Sequence, residues 1–208
     1  MEYLPHGFRL EIPAGCFPLT TDSMVLSHIA GAGCQGKVLD LGSGCGQLGL
    51  LLCAENDRCR VTGIELDPAA HDFALENIRR NGLSGRVVPM QADAREKPEK
   101  SLGDFQCIVC NPPYIPRADI DGLDNSVRDY EPHLALDGGE DGLDFYRAIS
   151  EKWRDALTPG GRLYFEVGIG QADSVLRIMR AQGFGDIQVV KDLHGIPRVV
   201  FGTLCTEI

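Results

Sequence analysis

The chain has 208 residues, 43% hydrophobic and 24% charged, with a formal net charge of −10. That length suits one domain with a sizeable core, and the composition is ordinary for a globular protein in water. No apolar run approaches a membrane span, and Met1–Leu10 lacks the basic and apolar regions of a signal peptide. A cytoplasmic location is therefore the default expectation. The acidic balance counts against a large nucleic-acid footprint unless a basic patch is segregated. Arg79, Arg80, Arg117, Arg128, Arg147, Arg154 and Arg162 are the candidates for such a patch, and ordinary solvated arginines are the favoured reading.

In chain order, Met1–Cys16 is a short mixed segment, a strand or hairpin. Phe17-Pro18-Leu19-Thr20-Thr21-Asp22-Ser23 offers caps to a helix over Met24–Ala30, and the glycine-rich Gly31–Gly36 ends it. Lys37–Leu41 reads as a buried strand leading into Gly42-Ser43-Gly44-Cys45-Gly46, with an apolar helix over Gln47–Ala54. Arg60–Glu65 is a second strand that ends in a carboxylate. Asp67-Pro68 opens a helix that runs to Arg80 and stops at Asn81-Gly82. A third strand, Arg86–Met90, leads to Gln91-Ala92-Asp93, and Glu96–Gly103 is polar linker.

The fourth strand, Phe105–Cys110, runs into Asn111-Pro112-Pro113-Tyr114. Neither proline has an N–H for a ladder, so the strand must stop, and Asn111 is held extended before Pro112. An amide is thus projected rigidly from a strand end, with an aromatic ring close behind. Ile115–Asp141 is long for a connection, and such loops are often functional. Leu143–Leu157 is helical by period, Pro159-Gly160-Gly161 turns into a strand over Arg162–Val167, and a helix spans Ala172–Gln182. Asp186–Val190 and Arg198–Thr203 form a closing strand pair. The fold class is α/β: a doubly wound, seven-stranded, mostly parallel sheet with a C-terminal antiparallel pair.

Eight cysteines are scattered along the chain, and only Cys107-Ile-Val-Cys110 has motif spacing. In a strand, positions three apart face opposite sides, and no second pair completes a zinc site. Buried free thiols are expected, and no metal site.

Strand, glycine loop, helix, and an acidic strand end about twenty residues on form a nucleotide-binding start. A dehydrogenase would share these features. Asp40 before the loop, Asp93 after the third strand and Asn111–Tyr114 after the fourth discriminate, and together they resemble the class I S-adenosylmethionine-dependent methyltransferases, with their Rossmann-like sheet. The resemblance implies S-adenosyl-L-methionine as cofactor, with Asp40, Gly42, Ser43, Gly44 and Gly46 under its methionine part. It further implies Glu65 and Leu66 at the ribose, Asp93 and Ala94 at the adenine, and Asn111 nearby. Asn111, Pro112, Pro113 and Tyr114 resemble the (Asn/Asp)-Pro-Pro-Tyr signature of enzymes that methylate amide or exocyclic amino nitrogens, and are the catalytic candidates. Residues 1–36 then read as an N-terminal segment with a capping helix, and 37–208 as the catalytic domain.

Asn111–Pro116, Val127–Pro132, Ala135–Leu143 and Phe145–Arg147, then Glu166-Val167-Gly168 with Gln171 and Arg198-Val199-Val200, resemble the bacterial release-factor glutamine N5-methyltransferases. The likeness covers Asp40–Thr203 and implies methylation of a Gly-Gly-Gln glutamine in a peptide release factor. That family carries an N-terminal helical docking domain, for which this chain is expected to have no room. Phe17–Leu26 instead resembles the tRNA(Val) adenine-N6 methyltransferases. Glutamine is the leading acceptor, adenine in tRNA the second, and a non-catalytic cofactor-binding module the third. A monomer is favoured, with no membrane partner.

Overall fold

The structure, a computed structural model, describes residues 1–97, 101–125 and 132–205. Val127–Glu131, quoted above for its resemblance, and Arg128 with it lie outside the described residues.

Strands β1 (Glu2–Tyr3) and β2 (Arg9–Leu10) form a small antiparallel pair. The main sheet contains β3 (Lys37–Leu41), β4 (Arg60–Glu65), β5 (Val87–Gln91), β6 (Phe105–Cys110), β7 (Leu157–Glu166), β8 (Phe184–Lys191) and β9 (Pro197–Leu204). Its order is β5-β4-β3-β6-β7-β9-β8, with β9 antiparallel to both β7 and β8. The helices are α1 (Thr21–Gly33), α2 (Gln47–Glu55), α3 (Pro68–Arg80), the short α4 (His133–Leu136), α5 (Asp144–Lys152) and α6 (Ala172–Ala181). Among the described residues no helix is long and apolar enough to cross a membrane.

A central parallel strand is buried on both faces, which is why β3 and β6 read as continuous apolar runs. Val38, Cys107 and Val109 pack with α1 and α2, while Leu39, Leu41, Ile108 and Cys110 pack with α5 and α6. Cys107 and Cys110 do face opposite sides of the sheet, as their spacing requires.

Helix α1 does not stop at Gly31. There the missing side chain lets α2 approach, and a Cβ would meet that of Glu55 at 3.0 Å. Glycine serves close helix packing here rather than termination. The end of α1 consequently lies against β6, and Cys34 and Cys107 form a disulfide with Cα atoms 5.9 Å apart. This corrects the expectation of free thiols throughout: 73 residues of sequence separate the pair, and only the tertiary fold brings them together. The predicted helix to Leu157 also ends early, at Lys152. Trp153 is buried with its indole N–H on the Ala94 carbonyl, and Leu157 already pairs with Phe105.

Asn77 on α3 and Asn81, the residue that ends it, fasten the N-terminal segment. Asn77 donates to the Glu11 and Cys45 carbonyls and accepts from Glu11 N–H, at 2.9–3.0 Å. Asn81 bonds both backbone groups of Arg9, more exposed to water. Asn77 is fully buried, so its loss strands backbone groups in the interior. Asn77→Ala should cost about 2–4 kcal/mol in a denaturant titration, and Asn81→Ala about 1 kcal/mol.

Candidate active site

In a doubly wound sheet ligands bind beyond the C-terminal strand ends, where the strand order reverses. Here that point lies between β3 and β6, and a cavity of about 550 Å³ opens there. The volume suits one small-molecule ligand.

The glycine loop leaves β3 in a tight turn. Gly42 and Ser43 N–H both donate to the Ile64 carbonyl at 2.9 Å, which locks the loop to β4. Gly42 and Gly44 have φ of 74° and 53°, a region that disfavours side chains. Glu65, at the end of β4, accepts from Gly44 N–H at 2.7 Å and from Asp67 N–H at 2.8 Å. It braces the loop while still lining the cavity.

Beyond β5, Asp93 is gripped by Arg95 through backbone and guanidinium, with one contact of 2.8 Å to each carboxylate oxygen. The Arg95 hydrogen bond is the main reason the Asp93 carboxyl lies below its usual range. Arg95 in turn stacks over Phe145, 5.6 Å from the ring centre.

Beyond β6, Asn111, Pro112, Pro113 and Tyr114 all line the cavity. The chain after them is recaptured at once. Gln171 donates to the Tyr114 carbonyl at 2.8 Å, and Ile115 N–H donates to the Leu136 carbonyl at 3.0 Å. Gly138 and Gly168 lie so close to Tyr114 that a Cβ on either would come within 3 Å of it. The motif is fixed on both sides.

Of the residues singled out in the sequence, Gly42, Ser43, Gly44, Glu65, Leu66, Asp93 and Ala94 also line the cavity. Asp40 and Gly46 do not. Asp40 is fully buried with both oxygens unpartnered, and Gly46 packs on Ala74 and Leu50. Cys16, Phe17, Thr20 and Ser23 form a wall that the sequence reading left as a cap region. Thr20 does cap α1, accepting from Ser23 N–H at 3.1 Å. The Ser23 hydroxyl instead turns to Asn111, 88 residues away, a contact without any local signal. Of the arginines singled out in the sequence, Arg79, Arg80, Arg117, Arg147 and Arg154 each pair with a carboxylate.

The methyltransferase small domain pattern matches residues 20–127. The chain belongs to that family. The release factor glutamine methyltransferase of Geobacter sulfurreducens is 42% identical over 186 residues, covering 88% of this chain and 63% of that protein. The protein of the same name from Rhodospirillum rubrum is 40% identical, covering 80% and 50%. The methyltransferase chain therefore spans about half to under two thirds of these relatives' length. Among solved structures, a methyltransferase from Pyrococcus furiosus superposes with a TM-score of 0.70 at 18% identity, covering 97% of this chain and 91% of that one. TrmN from Thermus thermophilus gives 0.59 at 22%, covering 88% and 48%. At these identities the two structures establish the methyltransferase fold and nothing finer.

Two buried carboxyls lie behind the cavity. Burial is the first cause that lifts Asp40 from 3.8 to about 8, and Glu65 nearby adds to it. Burial likewise lifts Glu166 from 4.5 to about 8, with Asp22 raising it further and Arg198 opposing. The folded state thus keeps protons that the unfolded chain releases near its ordinary carboxyl values. Stability should fall as pH rises across the window between those values and about 8. Denaturant midpoints at about pH 5.5 and pH 8 check this, and Asp40→Asn should flatten the difference by removing one ionisation.

Proposed function

We propose that this chain is an S-adenosylmethionine-dependent N-methyltransferase whose acceptor is the side-chain amide of a protein glutamine, as in a release-factor Gly-Gly-Gln loop. The observation that carries the reading is the meeting, in one cavity, of the glycine loop, Glu65, Asp93 and Asn111–Tyr114. Identity of 40–42% to proteins named release factor glutamine methyltransferase supports the acceptor class.

The residues fit the cofactor. A Cβ on Gly42 would stand in open space, with nothing beyond its chain neighbours within 4 Å, so the loop presents bare backbone to the cavity. Glu65 offers a carboxylate to a ribose diol, and Asp93 an acceptor to an adenine amino group. Gly42, Ser43 and Gly44 would bear on the methionine part, with Leu66 and Ala94 as neighbouring wall. Asp40 acts from behind the loop. When bound, S-adenosylmethionine supplies an electrophilic methyl group on a sulfonium.

An amide nitrogen is a weak nucleophile because its lone pair is delocalised. Asn111 Oδ1 and the Pro112 carbonyl accept its two hydrogens and draw it toward pyramidal geometry. The lone pair then points across the cavity, while Tyr114 walls the planar group. No base is required beforehand. The barrier falls chiefly through alignment, which supplies up to roughly 7–11 kcal/mol in well-oriented systems.

Incubation with methyl-labelled cofactor and a Gly-Gly-Gln release factor should label the protein. Label found in tRNA alone would overturn the glutamine reading, and cofactor binding without turnover on either would favour a binding module. Asn111→Ala should lower kcat about a hundredfold or more, with the cofactor Kd changed by less than about threefold. Unchanged turnover would remove Asn111 from the mechanism.

A further inference from the structure

A carboxamide has two ends of similar shape and opposite character: an oxygen that accepts and a nitrogen that donates. The role given to Asn111 works only if Oδ1 faces the cavity, because Nδ2 would oppose the hydrogens of an amino or amide acceptor. Something must fix the rotation.

The surroundings of Nδ2 are polar, buried and built from distant elements. Nδ2 donates to Ser23 Oγ on α1 at 3.4 Å. Ser23 Oγ donates to Glu166 Oε2, at the end of β7, at 3.5 Å. Asn111 and Ser23 both favour the charged form of Glu166, against the burial that raises its pKa. Thr20 Oγ1 lies 3.0 Å from Ser23 Oγ and holds that hydroxyl in place. Ser23 and Glu166 are each 1% exposed, so water does not compete for these groups. Glu166 keeps an acceptor oxygen whether or not it carries a proton, since a neutral carboxyl retains its carbonyl. Arg198 and Asp22 flank it, with Arg198 Nε 3.3 Å from Asp22 and 3.4 Å from Asp192. Among the described residues no hydrogen bond reaches Asn111 Oδ1.

We infer that Ser23 and Glu166 are positioning residues that hold the Asn111 carboxamide with Nδ2 turned inward and Oδ1 turned to the cavity. The device makes the site an acceptor of N–H hydrogens by construction, and it rests on the N-methyl-transfer reading. It also makes α1 part of the working site, although α1 lies outside the sheet.

The test compares Glu166→Met, Glu166→Gln and Ser23→Ala with the intact chain. Glu166→Met keeps the bulk and loses the acceptor, and Ser23→Ala removes the intermediate hydroxyl. Each should lower kcat about tenfold or more, with KM and the S-adenosylmethionine Kd within about twofold. Glu166→Gln, which keeps a carbonyl, should restore most of what Glu166→Met loses. Equal losses in Gln and Met variants, with melting temperatures matched, would overturn the acceptor role. A second readout needs no substrate. The side-chain amide resonances of Asn111, assigned through Asn111→Asp, should exchange slowly with solvent and speed up about tenfold or more in Ser23→Ala. Unchanged exchange would overturn the inference even if turnover fell. Absence of release-factor labelling by the intact chain would sink the glutamine reading and leave the amide result standing.

Discussion

Two consecutive prolines cannot donate to a ladder, so β6 must end at Cys110 regardless of how its neighbours continue. β7 ends almost level with it, Phe165 pairing with Cys110, and the crevice opens beside Asn111 at the switch point between β3 and β6. The freed backbone is then recovered by partners from later in the chain. Gln171 takes the Tyr114 carbonyl, Leu136 takes Ile115 N–H, and Ile115 in turn accepts from Gly138. Glycines at 138 and 168 are what allow such close approach. The strand stop therefore dictates much of the composition between residues 136 and 171.

Charge is distributed around the cavity according to access to water. The front carries Asp93, neutralised by Arg95 and held ionised. The rear carries Asp40 and Glu166, where burial favours the neutral form. The arrangement keeps net negative charge away from the interior while leaving acceptor oxygens in place. The Asp93–Arg95 pair has a further consequence, because a ligand that uses Asp93 must share it with a guanidinium already stacked on Phe145. The pair is partly exposed, so its own contribution to stability is small.

The alternation of strands and helices, the glycine loop and the role of Pro112-Pro113 were legible in the sequence because each follows from a local rule. Most strand edges moved by one or two residues, but β7 starts five residues earlier than expected, at Leu157, and runs through Pro159-Gly160-Gly161 with a register shift rather than turning there. Gly31 misled, since a glycine in a helical stretch signals termination and close packing equally well. The Cys34–Cys107 link and the Ser23–Asn111 contact were illegible for a different reason: both join residues far apart in sequence, and nothing local marks either partner. Asp40 illustrates the opposite case. Its place before the loop was read correctly, but which way its side chain turns depends on the alternation along β3, which puts it with Val38 on the α2 side.

The N-terminal segment cannot be separated physically from the catalytic sheet. Asn77 joins it to α3 and to the glycine loop through the Cys45 carbonyl, while Ser23 joins it to the strand stop. One piece of chain thus touches both halves of the cavity. This bears on the choice between glutamine and adenine. In the proposed mechanism Asn111 and the Pro112 carbonyl meet the same two hydrogens in either acceptor, so the clamp cannot discriminate. A flat bicyclic ring needs a broad aromatic face and a wide slot, whereas a glutamine side chain needs only a narrow channel with an amide-sized end. Discrimination therefore falls to the outer wall, where Phe17 from the N-terminal segment faces the same cavity as Tyr114, Leu134 and Phe145.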